Sequence, residues 1–322
     1  MKKLVSILIL VFCHSMLSAQ SSNCRALLSA VKSGNSAEAE NLLSKTSPNC
    51  HYRGDGEPRY PLGAAAYTGD LKMGKLLMDS GAKVSFRGKR DASALMIAAR
   101  NGHLEFVNYL LEKGADVHKK INGDGTPLMA AVTGNNDDIV ALFLKKGADP
   151  NASVEGDGNP LIMAARSGNN EVLNLLLEYG ADVNKGSLGD GTALIQAVHL
   201  GNLNFVKTMV AQGADINKGI KGDGNPLIAA ASMGHLKIVQ FLVASGAEVN
   251  AVVIGDDTPL IRAAWNGHLE VVKYLIEKGA DVNKTVRDGY HLLSEKRNPL
   301  KMAKRGQHRE VINYLIRKGA KN

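Results

Sequence analysis

The chain has 322 residues, of which 44% are hydrophobic and only 5% aromatic, and its formal net charge is +8. The charge is local, because residues 284–322 hold eleven Lys or Arg against three Asp or Glu, whereas residues 20–283 sum to −2. A nearly neutral body with few aromatic residues excludes a nucleic-acid-binding protein by composition. The basic end is at most a local contact for an acidic partner.

The N-terminus has the pattern of a secretory signal peptide. Lys2 and Lys3 precede an apolar run from Leu4 to Cys13, and small residues follow up to Ala19. The run is shorter than the roughly 20 residues that a membrane span requires, and no later segment is apolar enough. We therefore expect cleavage after Ala19 and a soluble, exported protein, periplasmic or secreted, with no membrane span.

Two cysteines remain once residues 1–19 are removed. An oxidising compartment permits a disulfide. The number of remaining cysteines is even, and the two residues, Cys24 and Cys50, lie close in sequence. We predict that they are bonded, with two separate thiols as the alternative. A lipoprotein anchor at Cys24 is disfavoured, because the preceding Ser-Ser-Asn lacks the aliphatic and small residues usual before such a cysteine.

A repeat of 33 residues organises the rest of the chain. Leucines recur at this step, with one longer final step of 40, at Leu62, Leu95, Leu128, Leu161, Leu194, Leu227, Leu260 and Leu300. A Gly-Ala pair follows each of them by 19 residues. Regular repetition at such a period is the signature of stacked units.

One period predicts two helices. Pro127 opens the first, where its missing N–H costs nothing, and Leu128 begins an apolar face. Phe143 lies on the apolar face of the second helix, which Gly147 ends in a left-handed conformation. Neither helix can bury its apolar face alone, so the units must stack.

The turn between the two helices holds glycine in most copies. Asn135 and Gln307 occupy this position in two of them. Asparagine tolerates a left-handed backbone well, and glutamine less so. We therefore expect the last turn to be reshaped around Gly306.

The segment "DTPLIRAAWNGHLEVVKYLIEKGADVN", Asp257 to Asn283, and its upstream copies closely resemble the ankyrin repeat family. The resemblance implies an all-α solenoid of helix-turn-helix units, joined by hairpin-like fingers, with a concave face made of fingers and first helices. Met or Ile replaces the family's usual His after Pro-Leu, and the fingers carry Gly-Asp-Gly; both features look like a subset of bacterial ankyrin proteins.

The repeat pattern predicts about nine units, including the caps. The predicted divisions are a signal peptide (1–19), an N-terminal capping repeat (20–52), seven ankyrin repeats (53–283), and a lengthened finger with a basic C-terminal capping repeat (284–322).

The finger carboxylates suggest chemistry at first sight. They are Asp55, Asp91, Asp124, Asp157, Asp190, Asp223 and Asp256. Calcium needs six to eight oxygens at about 2.3–2.6 Å, which one Asp per finger cannot supply at the roughly 10 Å spacing of packed helices. We expect a glycine-flanked turn whose Asp bonds local backbone amides; the alternative is a ladder of carboxylates facing a basic partner.

Other cofactor and metal signals are weak. "GDGNPL" lacks the Gly-Lys-Ser/Thr of a phosphate loop. His235 and His268 lie in adjacent units about 10 Å apart, too far for one zinc ion. These histidines are expected to serve the start of each second helix, and neither a cofactor nor a metal is expected.

The positions that vary while the repeat stays fixed are the candidate binding residues. They are Tyr67, Arg100, Arg166, His199, Leu200, Met233, Trp265 and Arg305, joined by Arg262 in an otherwise mostly apolar position. The resemblance places them on the concave face, and Tyr, Trp, Arg and Met are enriched at interfaces. The alternative is that they are ordinary exposed residues.

We expect a non-catalytic scaffold that binds a protein partner through this face. The alternatives are an envelope stress or protection factor that masks a partner, an enzyme built on the groove, and a protein whose basic end binds an acidic polysaccharide or envelope surface.

Overall fold

The computed structural model describes residues 21–52, 58–88, 91–153, 158–253, 257–287 and 296–321. The predicted signal peptide and its cleavage site lie outside these residues. The chain forms two compact units, Met1–Asp149 and Pro150–Asn322. The divisions expected after residues 19, 52 and 283 stay predictions.

Unit 1 consists of antiparallel helix pairs. Its helices are α1 (residues 21–32), α2 (Ser36–Leu43), α3 (Pro61–Thr68), α4 (Leu71–Asp79), α5 (Ala94–Arg100), α6 (Leu104–Glu112), α7 (Pro127–Thr133) and α8 (Asp137–Lys145). The first helices α3, α5 and α7 pack side by side, and so do the second helices α4, α6 and α8.

Unit 2 continues the same pattern. Its helices are α9 (Pro160–Ser167), α10 (Asn170–Glu178), α11 (Ala193–His199), α12 (Leu203–Ala211), α13 (Pro226–Met233), α14 (Leu236–Ala244), α15 (Pro259–Trp265), α16 (Leu269–Glu277), α17 (Pro299–Arg305) and α18 (Arg309–Arg317). An antiparallel hairpin in the last finger pairs β1 (Val286–Arg287) with β2 (Lys296–Arg297).

Several first helices begin at a polar N-cap residue that is followed by proline at the first helical position. Thr126, Asn159, Asn225 and Thr258 each cap a helix that opens with proline, and each side chain accepts a hydrogen bond from the backbone N–H three residues on. Such caps satisfy donors that the helix itself leaves unpaired. Helices of seven or eight residues therefore form at fixed intervals.

The core lies between the two helix layers of each unit. Alanines such as Ala98 and Ala230 are fully buried in the first helices and let neighbouring helices approach closely. The second helices contribute larger side chains, including Phe106, Phe143 and Phe205. Small alanines in the first helices thus pack against larger side chains from the second helices.

The final inter-helix turn differs from the expected one. Gln307 itself adopts the left-handed conformation with φ 60°, as Asn135 does with φ 57°, whereas Gly306 has φ −78°. The expectation that the turn is reshaped around Gly306 was wrong. The packing of α17 against α18 fixes the turn, so Gln307 accepts a backbone strain of roughly 1–2 kcal/mol.

A disulfide joins the ends of the N-terminal cap. Cys24 in α1 is bonded to Cys50, with the two Cα atoms 5.8 Å apart. Cys24 is buried beside Leu27 and Leu28, whereas Ala39 is the buried residue of α2. The disulfide thus links α1, which is well packed, to the segment that follows α2, which is poorly packed.

Asparagine side chains connect successive repeats. Asn184 donates from Nδ2 to the carbonyl of Gly213 at 3.0 Å, and its Oδ1 accepts from the N–H of Asp215 at 2.7 Å. This asparagine ladder recurs at Asn49, Asn151, Asn217, Asn250 and Asn283. Each step ties the turn after one repeat to the end of the next second helix.

The asparagine ladder is interrupted within unit 1. Ser85 stands four residues after Gly81 and His118 four residues after Gly114, the position that asparagine occupies in the later repeats, and the serine side chain is too short to bridge. A cavity of about 190 Å³ lies there, lined by Ser85, Gly114 and Asp116 among others. This junction is therefore held by fewer hydrogen bonds than its counterparts.

We predict that Ser85→Asn stabilises the protein by about 1 kcal/mol, since it adds two partly exposed hydrogen bonds. The reverse change at an intact step, Asn217→Ser, should lose a similar amount. Urea unfolding followed by circular dichroism measures both. An unchanged or lower midpoint for Ser85→Asn would show that the asparagine ladder adds nothing at this junction.

Candidate protein-binding face

The C-terminal ends of the first helices carry exposed apolar side chains in unit 2. Leu200 is 46%, Met233 49% and Trp265 37% exposed. They end or cap α11, α13 and α15, which pack side by side in this order. Leu200 and Met233 stand six residues after the repeat leucine and Trp265 stands five, so the three side chains lie at the same end of three packed helices, at two neighbouring positions of the repeat. Together they are called the inner-face line.

Two predicted binding arginines are already paired within unit 2. Arg166 Nη2 lies 2.5 Å from Asp190 Oδ1 of the following finger. Arg262 Nε lies 3.4 Å from Asp257 Oδ2, and Asp257 is fully buried. Both arginines keep exposed surface, so they flank the inner-face line as oriented cations. The repeat pattern alone does not reveal these partners.

The aromatic end of the inner-face line is also fixed. The Arg305 guanidinium carbon lies 5.9 Å from the centre of the Trp265 ring, within cation–π range. The backbone carbonyl of Trp265 accepts a hydrogen bond from His308 Nε2 at 2.8 Å. Trp265 therefore presents a held ring rather than a loose one, which reduces the ordering cost of binding.

The two predicted residues of unit 1 meet at a small pocket. Tyr67 at the end of α3 and Arg100 at the end of α5 line a cavity of about 150 Å³ with Pro58, Ala92, Ile97 and Asn101. The structure brings Tyr67 and Arg100 together, as their equal positions in adjacent repeats allow. The apolar floor was not anticipated from the sequence.

The finger glycines behave as expected, and the finger carboxylates do not. Gly189 and Gly191 have φ 83° and 69°, and a bridge between Ser187 and Gly191 closes the turn. Asp223 Oδ2, however, accepts a hydrogen bond from the N–H of Gly189, 34 residues earlier. The expectation that these carboxylates bond local amides is corrected, because described ones reach the preceding repeat.

Two other finger carboxylates also reach the preceding repeat. Asp190 pairs with Arg166, and buried Asp91 lies 2.8 Å from His51 Nε2 and 3.6 Å from Arg59 Nη1. Asp55, Asp157 and Asp256 lie outside the described residues. Asp91, Asp190 and Asp223 thus link successive repeats.

The turn histidines connect repeats through their side chains. Nε2 of His103, His268 and His308 donates to the carbonyls of Tyr67, Ser232 and Trp265 in the preceding repeat. They stand at the N-cap positions just before the second helices, as expected, but make no side-chain cap there. Over the described ranges, no three His, Cys, Asp or Glu side chains form a group that could hold a metal ion.

His199 lies at the edge of the inner-face line in a mixed environment. Burial lowers the pKa of its imidazole below the ordinary value, while the Asp223 carboxylate raises it and the neighbouring His235 lowers it. The net direction is downward, so the neutral form is favoured in the folded protein.

The lowered pKa predicts a stability that declines in acid. The unfolded chain binds this proton near pH 6.5, whereas the folded protein resists it, so the free energy of unfolding falls as pH drops through about 6.5. We expect His199→Gln to flatten this decline between about pH 7.5 and 5.5, measured as urea midpoints. His118→Gln, an exposed change in unit 1, is the control; equal curves for wild type and His199→Gln would contradict the assignment.

Comparisons with known proteins agree with this architecture. The family model for ankyrin repeats in three copies matches residues 27–121, 118–187, 194–286 and 255–322. The human ASB11 ankyrin repeat domain is similar in structure, with a TM-score of 0.58 and 25% identity over 70% of this chain and 98% of that one. A comparison with curated proteins gives no match.

The chain belongs to the ankyrin repeat family. The expected all-α solenoid of helix-turn-helix units is confirmed. Ankyrin repeats are protein–protein interaction modules that are typically non-enzymatic. Throughout the described ranges, no helix has the length and apolar character needed to cross a membrane.

Proposed function

We propose that the protein is an exported, non-catalytic scaffold that binds a protein partner on the inner-face line of unit 2. The observation that carries this proposal is the exposure of Leu200, Met233 and Trp265 at the same end of three consecutive first helices, each at least one-third exposed. Large apolar side chains exposed together on neighbouring repeats are a feature of interaction sites.

The charges beside this line indicate the chemistry of the partner. Arg166, Arg262 and Arg305 flank it, and the sequence from 284 to 322 adds a strong positive excess. A partner segment with apolar side chains for the line and carboxylates for the rim matches both features. The basic end would then speed association rather than supply most of the affinity.

The site supports binding better than catalysis. Its side chains form an open line rather than a closed pocket, and the two pockets described in unit 1, of about 150 and 190 Å³, are smaller than the 300–1,000 Å³ usual for small-molecule sites. The repeats present a surface that is already ordered, so little conformational entropy is lost on binding.

Affinity capture from an envelope fraction, with mass spectrometry, tests the proposed function. The double variant Met233→Ala/Trp265→Ala should lose its partner, because interface aromatic anchors contribute about 2 kcal/mol or more each. The matched control is Tyr179→Ala/Ile316→Ala, which removes comparably exposed apolar side chains at the ends of α10 and α18. Equal capture by both variants would refute the inner-face site.

Export is supported by the N-terminal residues 1–19 and by the disulfide between Cys24 and Cys50. Mass spectrometry of the protein from a periplasmic or culture fraction should find Gln20 as its first residue. An intact Met1 in the cytoplasmic fraction would refute export.

A further inference from the structure

The pocket of unit 1 is preformed. Its floor includes Ala92, whose carbonyl accepts a hydrogen bond from the buried Tyr60 hydroxyl at 2.8 Å. Its wall at Tyr67 is held through the carbonyl that His103 bonds at 3.0 Å. The end of α5 is held in the same way, because Asn136 donates to the carbonyls of Ala99 and Arg100. Binding would require little rearrangement.

The rim of the pocket carries one exposed cation, Arg100. In unit 2, Arg166 pairs with Asp190, the finger residue 24 positions later. Asp124 follows Arg100 at the same distance in sequence, yet across the described residues the structure records no ion pair for the Arg100 guanidinium. The equivalent cation is thus neutralised in one repeat and available in the other.

The remaining surface of the pocket is apolar and of side-chain size. Pro58 and Ala92 are buried, Ile97 is half-buried, and the Tyr67 ring is 53% exposed. Asn101 uses its Nδ2 to donate to the carbonyl of Ile97 at 2.8 Å, so Arg100 is the main polar donor facing a ligand. The nearby carboxylate of Asp91 is buried against His51 and Arg59 and does not oppose an anion.

From this geometry we infer that the pocket binds an acidic side chain of a partner polypeptide. The carboxylate pairs with the Arg100 guanidinium, whose planar fork suits carboxylates. The aliphatic stem, or an adjacent apolar residue, lies against Ile97, Ala92, Pro58 and the Tyr67 ring. A volume of about 150 Å³ holds one such side chain rather than a cofactor. The inference rests on the proposed function of protein binding.

Selection of short random peptides displayed on phage tests this inference. Wild-type protein should enrich peptides in which Asp or Glu adjoins an aromatic or branched aliphatic residue. Synthetic copies should bind Arg100→Glu about tenfold to a hundredfold more weakly, the loss expected for a charge-assisted pair. A second selection on Arg100→Glu should enrich Lys or Arg at the acidic position.

Two further variants make the result specific. Tyr67→Ala should weaken the same peptides about three- to tenfold, since it removes one wall. Lys145→Glu changes the net charge of unit 1 equally, at the exposed end of α8, and should leave binding unchanged. Circular dichroism of every variant confirms that the fold is retained.

The outcomes separate this inference from the proposed function. Enrichment of no acidic peptide, or equal binding of selected peptides by wild type and Arg100→Glu, would overturn the inference. The inference would also be overturned if Met233→Ala/Trp265→Ala lost peptide binding while Arg100→Glu kept it. That result would instead support binding at the inner-face line. Arg100-dependent binding of acidic peptides would support the pocket even if partner capture did not depend on Trp265.

Discussion

Replacing Asp257 with alanine is expected to destabilise the C-terminal repeats by about 3–5 kcal/mol. Asp257 is fully buried, with Arg297 Nε 3.0 Å from Oδ1 and Arg262 Nε 3.4 Å from Oδ2. Arg297 is largely buried as well and belongs to β2 of the lengthened finger. Removing the carboxylate therefore leaves a positive charge in a poorly solvated place without compensation.

The sole tryptophan makes this loss measurable. Trp265 ends α15, the helix that begins just after Asp257, so urea unfolding followed by its fluorescence reports on the affected repeats. Glu277→Ala is the control, since that carboxylate is exposed and its pair with Lys278 is 3.7 Å long; its effect should stay within about 0.5 kcal/mol.

A second variant tests the mechanism. Asp257→Ala combined with Arg297→Met removes both charges and keeps apolar volume, and it should recover most of the lost stability. Losses that simply add would show that the two side chains act independently. The finger would then be held by its backbone pairing between β1 and β2 rather than by the buried charge pair.

The helices were predictable because their causes are local. Pro127 was expected to open a first helix and Gly147 to end a second one; α7 begins at Pro127, and Gly147 has φ 83°. Both effects depend on the residue's own backbone. Gln307 was mispredicted because its conformation depends on the packing of two helices, which outweighs its preference.

The contacts between repeats were less predictable. The period shows that Asp190 and Asp223 are equivalent, but not that one pairs with Arg166 and the other with the Gly189 amide. That choice depends on the distance and twist between neighbouring fingers. The asparagine ladder did leave a signal, an asparagine four residues after most Gly-Ala glycines, and the sequence also shows its interruptions at Ser85 and His118.

The sequence predicted where the residues of the candidate site lie better than it predicted their ion pairs and contacts. Exposure of Leu200, Met233 and Trp265 follows from their repeated place at the helix ends. The sequence could not distinguish Arg166, which is paired, from Arg100, for which the described part of the chain records no ion pair, because both have an aspartate 24 residues later. The floor of the pocket in unit 1 required the finger to be placed against α5, a tertiary relation.

Replacing Cys24 and Cys50 with serine is expected to cost about 3.5 kcal/mol, the loop-closure entropy for a sequence separation of 26 residues. The cap needs this constraint because a terminal unit contacts a neighbour on one side only, and α2 buries little apolar surface. Since stability is roughly additive between neighbours, the loss should fall on residues 21–52 first.

Hydrogen exchange of the double serine variant should therefore show lost protection within residues 21–52, with protection retained in α5 to α8. Reductant should reproduce this effect in the wild type and do nothing further to the variant, which separates the bond from the effect of the serine side chains. Unchanged protection would mean that burial of Leu27 and Val31 alone holds the cap. In that case reduction of the bond, inside or outside the cell, would leave the fold intact, and the disulfide would lose its weight as support for export.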